Sequence, residues 1–289
     1  MATSTQKVVI VTGAISGIGA VLTTYLLQDG WTVVGVDVAD SCDPKIAEEF
    51  GNSFSYRKCD VSNYDALAET FAQVFARFGQ INAFCSNAGI IDRSSVYIYS
   101  HRGKASIPPK PDLACTAVCY HALIYGTQLS IHFMRQNPTP GGFIVCTSSM
   151  VGYHPIATFP EYCGAKSAMN AFVISTAPVL KLQKENITIN AVLPGIVPSQ
   201  FISQEMRDTF GADGLTPKET IAAAYMKCLH DRSLNGELIE CSRDKHFVLP
   251  RPGYADGETS KRTCTVYDPY FVQVHGESSQ LEDIVRRRN

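Results

Sequence analysis

Tyr162 and Lys166 stand four residues apart in the segment EYCGAK. On a helix that spacing places both side chains on one face. An ammonium beside a phenol stabilises the tyrosinate, pulling a phenol pKa of about 10 down toward the working range. A pair of this kind is a general acid/base, able to take a proton from an alcohol or return one to a carbonyl oxygen.

A second chemical signal lies near the N-terminus. The run TGAISGIG, residues 12–19, follows the apolar stretch 8–11. Gly13, Gly17 and Gly19 lack the Cβ atoms that would block a tight turn and the approach of a pyrophosphate to backbone N–H groups at a helix start. A strand turning into a helix around such a loop binds a dinucleotide. The next apolar run, TVVGVD, ends at Asp37, and no Lys or Arg follows until Lys45. A carboxylate there accepts hydrogen bonds from the adenosine ribose of NAD and repels the 2′-phosphate of NADP. These residues favour NAD.

Alternating elements are needed to position these groups. Short apolar runs at 8–11, 32–36, 54–58, 83–86, 143–147, 188–192 and 238–241 read as strands. Amphipathic stretches at 19–28, 44–50, 64–78, 113–134, 162–182 and 217–229 read as helices. Strand and helix alternate, which predicts an α/β fold: a Rossmann-type doubly wound parallel seven-stranded sheet with helices on both faces. Ligands of such a sheet sit beyond the carboxyl ends of its strands. Residues 1–241 form one domain, and 242–289, rich in Pro, Gly and Tyr, form a C-terminal extension. Three readings of that extension stay open: a wrap around a neighbouring subunit, a cover for the site, or a partly disordered tail.

Composition narrows the function classes. The 289 residues carry a formal net charge of −2, and the only basic cluster is Arg286-Arg287-Arg288. Nothing there predicts a nucleic-acid or anionic-membrane partner. No run of about 18 apolar residues predicts a membrane span, and MATSTQK leads into the first strand without a signal-peptide region. The ten cysteines have no C-x-x-C pair. They read as reduced, mostly buried thiols of a cytoplasmic protein, with no metal site.

The spacing TGxxxGxG resembles the short-chain dehydrogenase/reductase family. Further landmarks follow in order over roughly residues 7–240: Asp60 in CDVS, Asn87-Ala88-Gly89, Ser149 with Tyr162 and Lys166, and Pro194-Gly195. The resemblance implies cofactor contacts from Gly13, Ser16, Gly17, Ile18 and Gly19, from Asp37, and from Asp60 and Val61 near the adenine. It places Asn87, Ala88 and Gly89 beneath the cofactor, Lys166 and Tyr162 at the nicotinamide ribose, and Val197 and Ser199 at the carboxamide. It makes Ser149, Tyr162 and Lys166 the catalytic set, with Ser148 the adjacent competitor for the serine role. It implies a homodimer or homotetramer.

One family element is missing. Relatives carry an Asn in the helix before the serine strand, whereas residues 113–133 contain none, and Cys119 falls at that position. This puts the usual proton relay through a water in doubt, since a thiol is a weak hydrogen-bonding group. His121, two positions on, points about 200° away on an α-helix and reads as an ordinary, partly buried histidine.

The substrate is read from apolar residues. Residues 200–216 occupy the position of a substrate lid and offer Phe201, Ile202, Met206 and Phe210, while Tyr153, His154 and Phe159 follow the serine. They suit a bulky, largely apolar alcohol or ketone, of the steroid, terpenoid, polyketide or prostanoid kind met in specialised metabolism. An irregular stretch, 91–112, borders the same region. The expectation is an NAD-dependent alcohol dehydrogenase or ketone reductase. The alternative is a protein of the same fold that acts as a redox sensor or as a non-redox isomerase/cyclase.

Overall fold

The structure is a computed structural model and describes residues 6–199, 202–282 and 284–285. Its first half runs β1 (Val8–Thr12), α1 (Gly17–Gln28), β2 (Thr32–Asp37), α2 (Pro44–Phe50), β3 (Phe54–Lys58), α3 (Tyr64–Phe78) and β4 (Ala83–Ser86). A long connection then leads to α4 (Ala114–Thr116), a π-helical segment at Ala117–His121, α5 (Ala122–Met134) and β5 (Gly142–Thr147). The second half adds α6 (Pro160–Leu182), β6 (Ile187–Pro194), α7 (Gln204–Gly214), α8 (Lys218–His230) and β7 (Leu238–Ser242). It closes with β8 (Lys245–Val248), α9 (Gly257–Thr263), β9 (Val266–Tyr267), α10 (Asp268–His275) and β10 (Ile284–Val285).

The main sheet has the order β3-β2-β1-β4-β5-β6-β7-β8. Its first seven members are parallel, in the positions the apolar runs predict. The central strands are buried along their whole length, which explains why VVIVT and ITINAVLP read as continuous runs rather than alternating ones. One face packs on α3, α5 and α6 through Phe71, Phe84, Leu123, Met169 and their neighbours. The other packs on α1 and α8 through Leu22, Leu26, Ile221 and Tyr225. The order in which strands are added to the sheet reverses between β1 and β4, so the crevice for a ligand opens at the carboxyl ends of those two parallel strands.

The eighth strand corrects the count of seven. β8 folds back antiparallel on β7 across Arg243 and Asp244, with Ser242 paired to Lys245. Arg243 takes a left-handed φ of 58° in that turn. The sequence KHFV gave no apolar run because this is an edge strand, most of it facing water.

Local signals set the helix ends. Asn63 caps α3 by accepting the Ala66 N–H at 3.1 Å, and Gly79 ends that helix in the left-handed region. Helix α6 begins with Pro160 in its first turn. The stretch read as one helix over 113–134 is interrupted by the π segment, which rotates its residues relative to a regular helix. His121 is exposed there, not partly buried. The extension packs on its own chain: Gln183 donates to the Ser278 carbonyl at 2.7 Å, and β9 pairs with β10. No described helix is long and apolar enough to cross a membrane.

Candidate active site

The predicted residues converge on the carboxyl edge of the parallel sheet. Gly13, Ser16, Gly17, Ile18 and Gly19 form the turn from β1 into α1; Asp37 ends β2; Asp60 and Val61 follow β3. Asn87, Ala88 and Gly89 follow β4, Ser149 follows β5, Tyr162 and Lys166 lie in the first two turns of α6, and Val197 and Ser199 follow β6. Gln200 and Phe201, counted with the lid, lie outside the described residues, as do Arg286, Arg287 and Arg288.

The glycine turn is built for a close approach. Gly13 has φ +64°, and a Cβ on Gly19 would lie 1.9 Å from the Gly13 carbonyl oxygen. Ser16 precedes α1 without a side-chain cap, so the first-turn N–H groups are offered to an anion. Beneath the turn, Asn87 Nδ2 donates to the carbonyls of Thr12 (3.1 Å) and Gly13 (3.2 Å). Its Oδ1 accepts the Thr147 hydroxyl at 2.9 Å, and that hydroxyl meets the Tyr225 hydroxyl at 2.6 Å. The Thr12 hydroxyl in turn accepts the N–H groups of Asn87 and Ala88. One network thus fixes β1, β4, β5 and α8 under the turn. At its edge, Asp37 Oδ1 accepts the Val38 N–H at 2.8 Å, and Asp60 Oδ1 accepts the N–H and hydroxyl of Ser62. These residues suit a dinucleotide: anion-binding N–H groups at a helix start and a carboxylate one strand away.

The acid/base groups meet at the next strand ends. Lys166 is buried, and its Nζ donates to the Thr147 carbonyl at 2.6 Å. The same Nζ lies 5.3 Å from the centre of the Tyr162 ring. Ser148 and Ser149 differ: the Ser148 hydroxyl donates to the Lys166 carbonyl at 3.1 Å, whereas the Ser149 hydroxyl accepts the Val151 N–H at 3.3 Å and lowers the pKa of the Tyr162 phenol. Burial raises the phenol pKa above its ordinary value, while Lys166 and Ser149 pull it down. The expected lowering by the lysine is present, but burial outweighs it. Burial also presses on the Lys166 ammonium, yet the surrounding thiols and phenol hold its pKa above the usual lysine value.

Several contributors gave no signal in the sequence. Asp92 accepts the N–H groups of Glu161 (3.0 Å) and Tyr162 (2.8 Å), capping the helix that carries the phenol. Glu161 accepts the N–H and hydroxyl of Thr116, both at 2.9 Å, tying α6 to the end of α4. Thr147 serves both halves of the site, through its carbonyl to Lys166 and its hydroxyl to Asn87. Each acts across a long sequence interval, so no local pattern reveals it.

Beside the start of α6 an open pocket of about 270 Å³ is lined by Asp92, Arg93, Ser94, Tyr97, Thr158, Phe159 and their neighbours. Tyr97 bridges its two walls by donating to the Ala157 carbonyl at 2.7 Å. Tyr153 donates to the Pro250 carbonyl at 2.8 Å, so the extension reaches the loop after β5. Met206 and Phe210, on α7, are exposed.

A doubly wound sheet with a glycine turn at a helix start and a Ser, a Tyr and a Lys at neighbouring strand ends defines an α/β protein of the Rossmann type. Residues 7–209 match the model of the short chain dehydrogenase family. The chain is 42% identical over 276 residues to the short-chain dehydrogenase/reductase prx6 of Penicillium rubens, covering 93% of this chain and 92% of that one. It is 28% identical to human 15-hydroxyprostaglandin dehydrogenase [NAD(+)], covering 83% and 93%. In fold it is similar to the NADPH-dependent 3-quinuclidinone reductase of Rhodotorula rubra, with a TM-score of 0.68, 17% identity and coverage of 82% and 91%. The chain belongs to the short-chain dehydrogenase family, a family of oxidoreductases.

Proposed function

We propose that this protein is an NAD-dependent oxidoreductase that interconverts a bulky, hydrophobic secondary alcohol and its ketone. The observation that carries the reading is the placement of Lys166: buried, anchored on Thr147 and set against the ring of Tyr162. In oxidation Tyr162 takes the alcohol proton, Ser149 orients the substrate oxygen, and Lys166 stabilises the tyrosinate charge. In reduction the phenol returns that proton to the carbonyl oxygen. Bound NAD supplies the hydride acceptor, and the residues that would hold it are those of the glycine turn, Asp37, Asp60 and Val61, Asn87, Ala88 and Gly89, Tyr162 and Lys166, and Val197 and Ser199.

Two points support NAD: the carboxylate of Asp37 at the end of β2, and the likeness to a dehydrogenase named for NAD(+). Tyr153 and Phe159 support an apolar substrate. The test is an absorbance assay of secondary alcohols with NAD and NADP, and of ketones with the reduced cofactors. Turnover of large apolar substrates with NAD is the expected result. Tight NADH binding without turnover of any member would favour the redox-sensor reading, and turnover confined to NADP would overturn the cofactor assignment.

A further inference from the structure

The segment after β6 buries a cation in preference to its apolar residues. From Ser203 to Phe210, on α7 and the residue before it, every side chain is exposed except that of Arg207. Met206 and Phe210, which an amphipathic helix would bury, are 40% and 46% exposed. Apolar packing does not account for a helix face inverted in this way, because burying a charged group opposes folding unless the group is paired.

The Arg207 guanidinium is only partly used. Its Nη2 donates to the Ser199 carbonyl at 2.9 Å, whereas its Nε is buried without a hydrogen-bond partner. The Ser199 carbonyl has another donor, the Ile202 N–H at 3.2 Å, so it does not require the arginine. Among the described residues no carboxylate pairs with Arg207. Nε and Nη2 form the edge of a guanidinium that grips a carboxylate or phosphate through two parallel bonds. Arg135 shows the complete arrangement in the same molecule: its Nε and Nη2 donate to the two carboxylate oxygens of Glu185 at 2.9 and 2.5 Å. At Arg207 the edge is engaged at Nη2 alone. A buried donor left unpaired is costly, and an acceptor that binds there removes the cost.

Position and charge select that acceptor. The Thr216 N–H donates to the Ile196 carbonyl at 2.7 Å, so the stretch that carries α7 begins and ends on residues 196–199, the segment read as the nicotinamide side of the cofactor. The residues assigned to the cofactor include the carboxylates of Asp37 and Asp60, and their one cation, Lys166, is held on the Thr147 carbonyl. The glycine turn offers N–H groups but no cation. We propose that Arg207 is a further cofactor-binding residue, whose Nε and Nη2 grip the diphosphate of the dinucleotide. Nη2 carries two N–H bonds, so it serves the Ser199 carbonyl and a phosphate oxygen together. Cofactor binding thereby fastens α7 at the crevice. This role rests on the reading of the crevice as a dinucleotide site.

The experiment titrates the full-length wild type, Arg207→Met and Arg207→Lys with NADH, ADP-ribose and adenosine by calorimetry, without substrate, after thermal melting has checked folding. Methionine keeps an unbranched stem and removes the charge and the fork. Its Kd for NADH and for ADP-ribose should rise roughly tenfold to a hundredfold, the range of a lost charge-assisted hydrogen bond, with adenosine, which has no phosphate, unchanged. Lysine should restore only part of the loss, because a point charge does not reproduce the fork. ADP-ribose lacks the nicotinamide and so separates a phosphate contact from a merely structural hold on Ser199. Weaker NADH binding with ADP-ribose unchanged overturns the proposal, and so does an equal loss of adenosine affinity. If Arg207→Met fails to fold, the same comparison is made with Arg207→Lys, where unchanged ADP-ribose binding overturns it. A wild type that binds neither NADH nor ADP-ribose sinks the cofactor reading itself, whereas wild-type binding that both variants retain sinks only the role of Arg207.

Discussion

On one side of the crevice, Thr12, Asn87, Thr147 and Tyr225 join three strands and a helix through bonds of 2.6 to 3.2 Å. On the other side, the stretch before α4, the loop after β5 and the extension meet through single bonds at the surface, Tyr97 to Ala157 and Tyr153 to Pro250. The first arrangement has few alternatives: removing any member strands its partners in a dry interior, where an unmade hydrogen bond costs far more than a made one contributes. The second can be re-formed with water. Under the proposed function, a site divided in this way keeps its cofactor geometry fixed while its substrate walls adapt.

The largest effect should come from the group shared by both sides. Tyr162→Phe removes the positioned proton donor without removing the ring that packs beside Lys166. Turnover should fall by roughly 10² to 10⁴, with cofactor affinity retained, as measured by steady-state rates and NADH titration. Near-normal turnover in that variant would rule out the acid/base assignment.

The rigid side is tested next by Asn87→Ala. Asn87 Nδ2 serves two carbonyls and its Oδ1 serves Thr147, so alanine leaves several groups without partners. Each unsatisfied buried group costs about 1–3 kcal/mol. A lower melting temperature together with weaker NAD binding is expected, the latter because the carbonyl of Gly13 in the cofactor turn loses its donor. Unchanged melting and binding would mean that the network is ornamental to the turn.

The same division governs what the sequence discloses. TGAISGIG and the Tyr162–Lys166 pair are legible because their geometry is local: a turn needs glycines in order, and a helix face needs a spacing of four. The central parallel strands are legible because burial on both faces forces unbroken apolar runs. Thr147, Asp92 and Tyr225 are silent, since each acquires its role from a neighbour 60 or more residues away. Strand β8 is silent for a different reason. An edge strand in water needs no apolar pattern, and only its pairing with β7 identifies it. The π segment likewise leaves no mark in ACTAVCYHA, and it misled the reading of His121 by changing the angle between successive residues.

Cofactor choice lies at the margin of the rigid side. Asp37→Ala removes a carboxylate that would bond the ribose hydroxyls and repel a 2′-phosphate, together about 1–3 kcal/mol for charge-assisted bonds of ordinary strength. The wild type should therefore prefer NAD over NADP by roughly tenfold to a little over a hundredfold in Kd. The alanine variant should lose most of that preference, mainly through weaker NAD binding. Calorimetric titration of both cofactors against both proteins decides it. Equal or tighter NADP binding to the wild type would remove Asp37 from the site while leaving Tyr162 and Lys166 in place.

The smallest effect should come from the substrate wall. Tyr97→Phe deletes one hydrogen bond between the stretch before α4 and the loop after β5, and the ring keeps its stacking partner, Tyr99, at 5.6 Å. Tyr97 is exposed, so water replaces the lost bond and global stability should change by less than about 1 kcal/mol. What the bond does is hold the two walls of the cavity together. Its loss should raise KM for a bulky substrate severalfold with little change in kcat, because the walls are looser but the groups at the reacting oxygen are untouched. A fall in kcat with KM unchanged would show that this wall is coupled to Tyr162 through the Asp92 cap, and the contrast between a rigid and an adaptable side would then fail at that point.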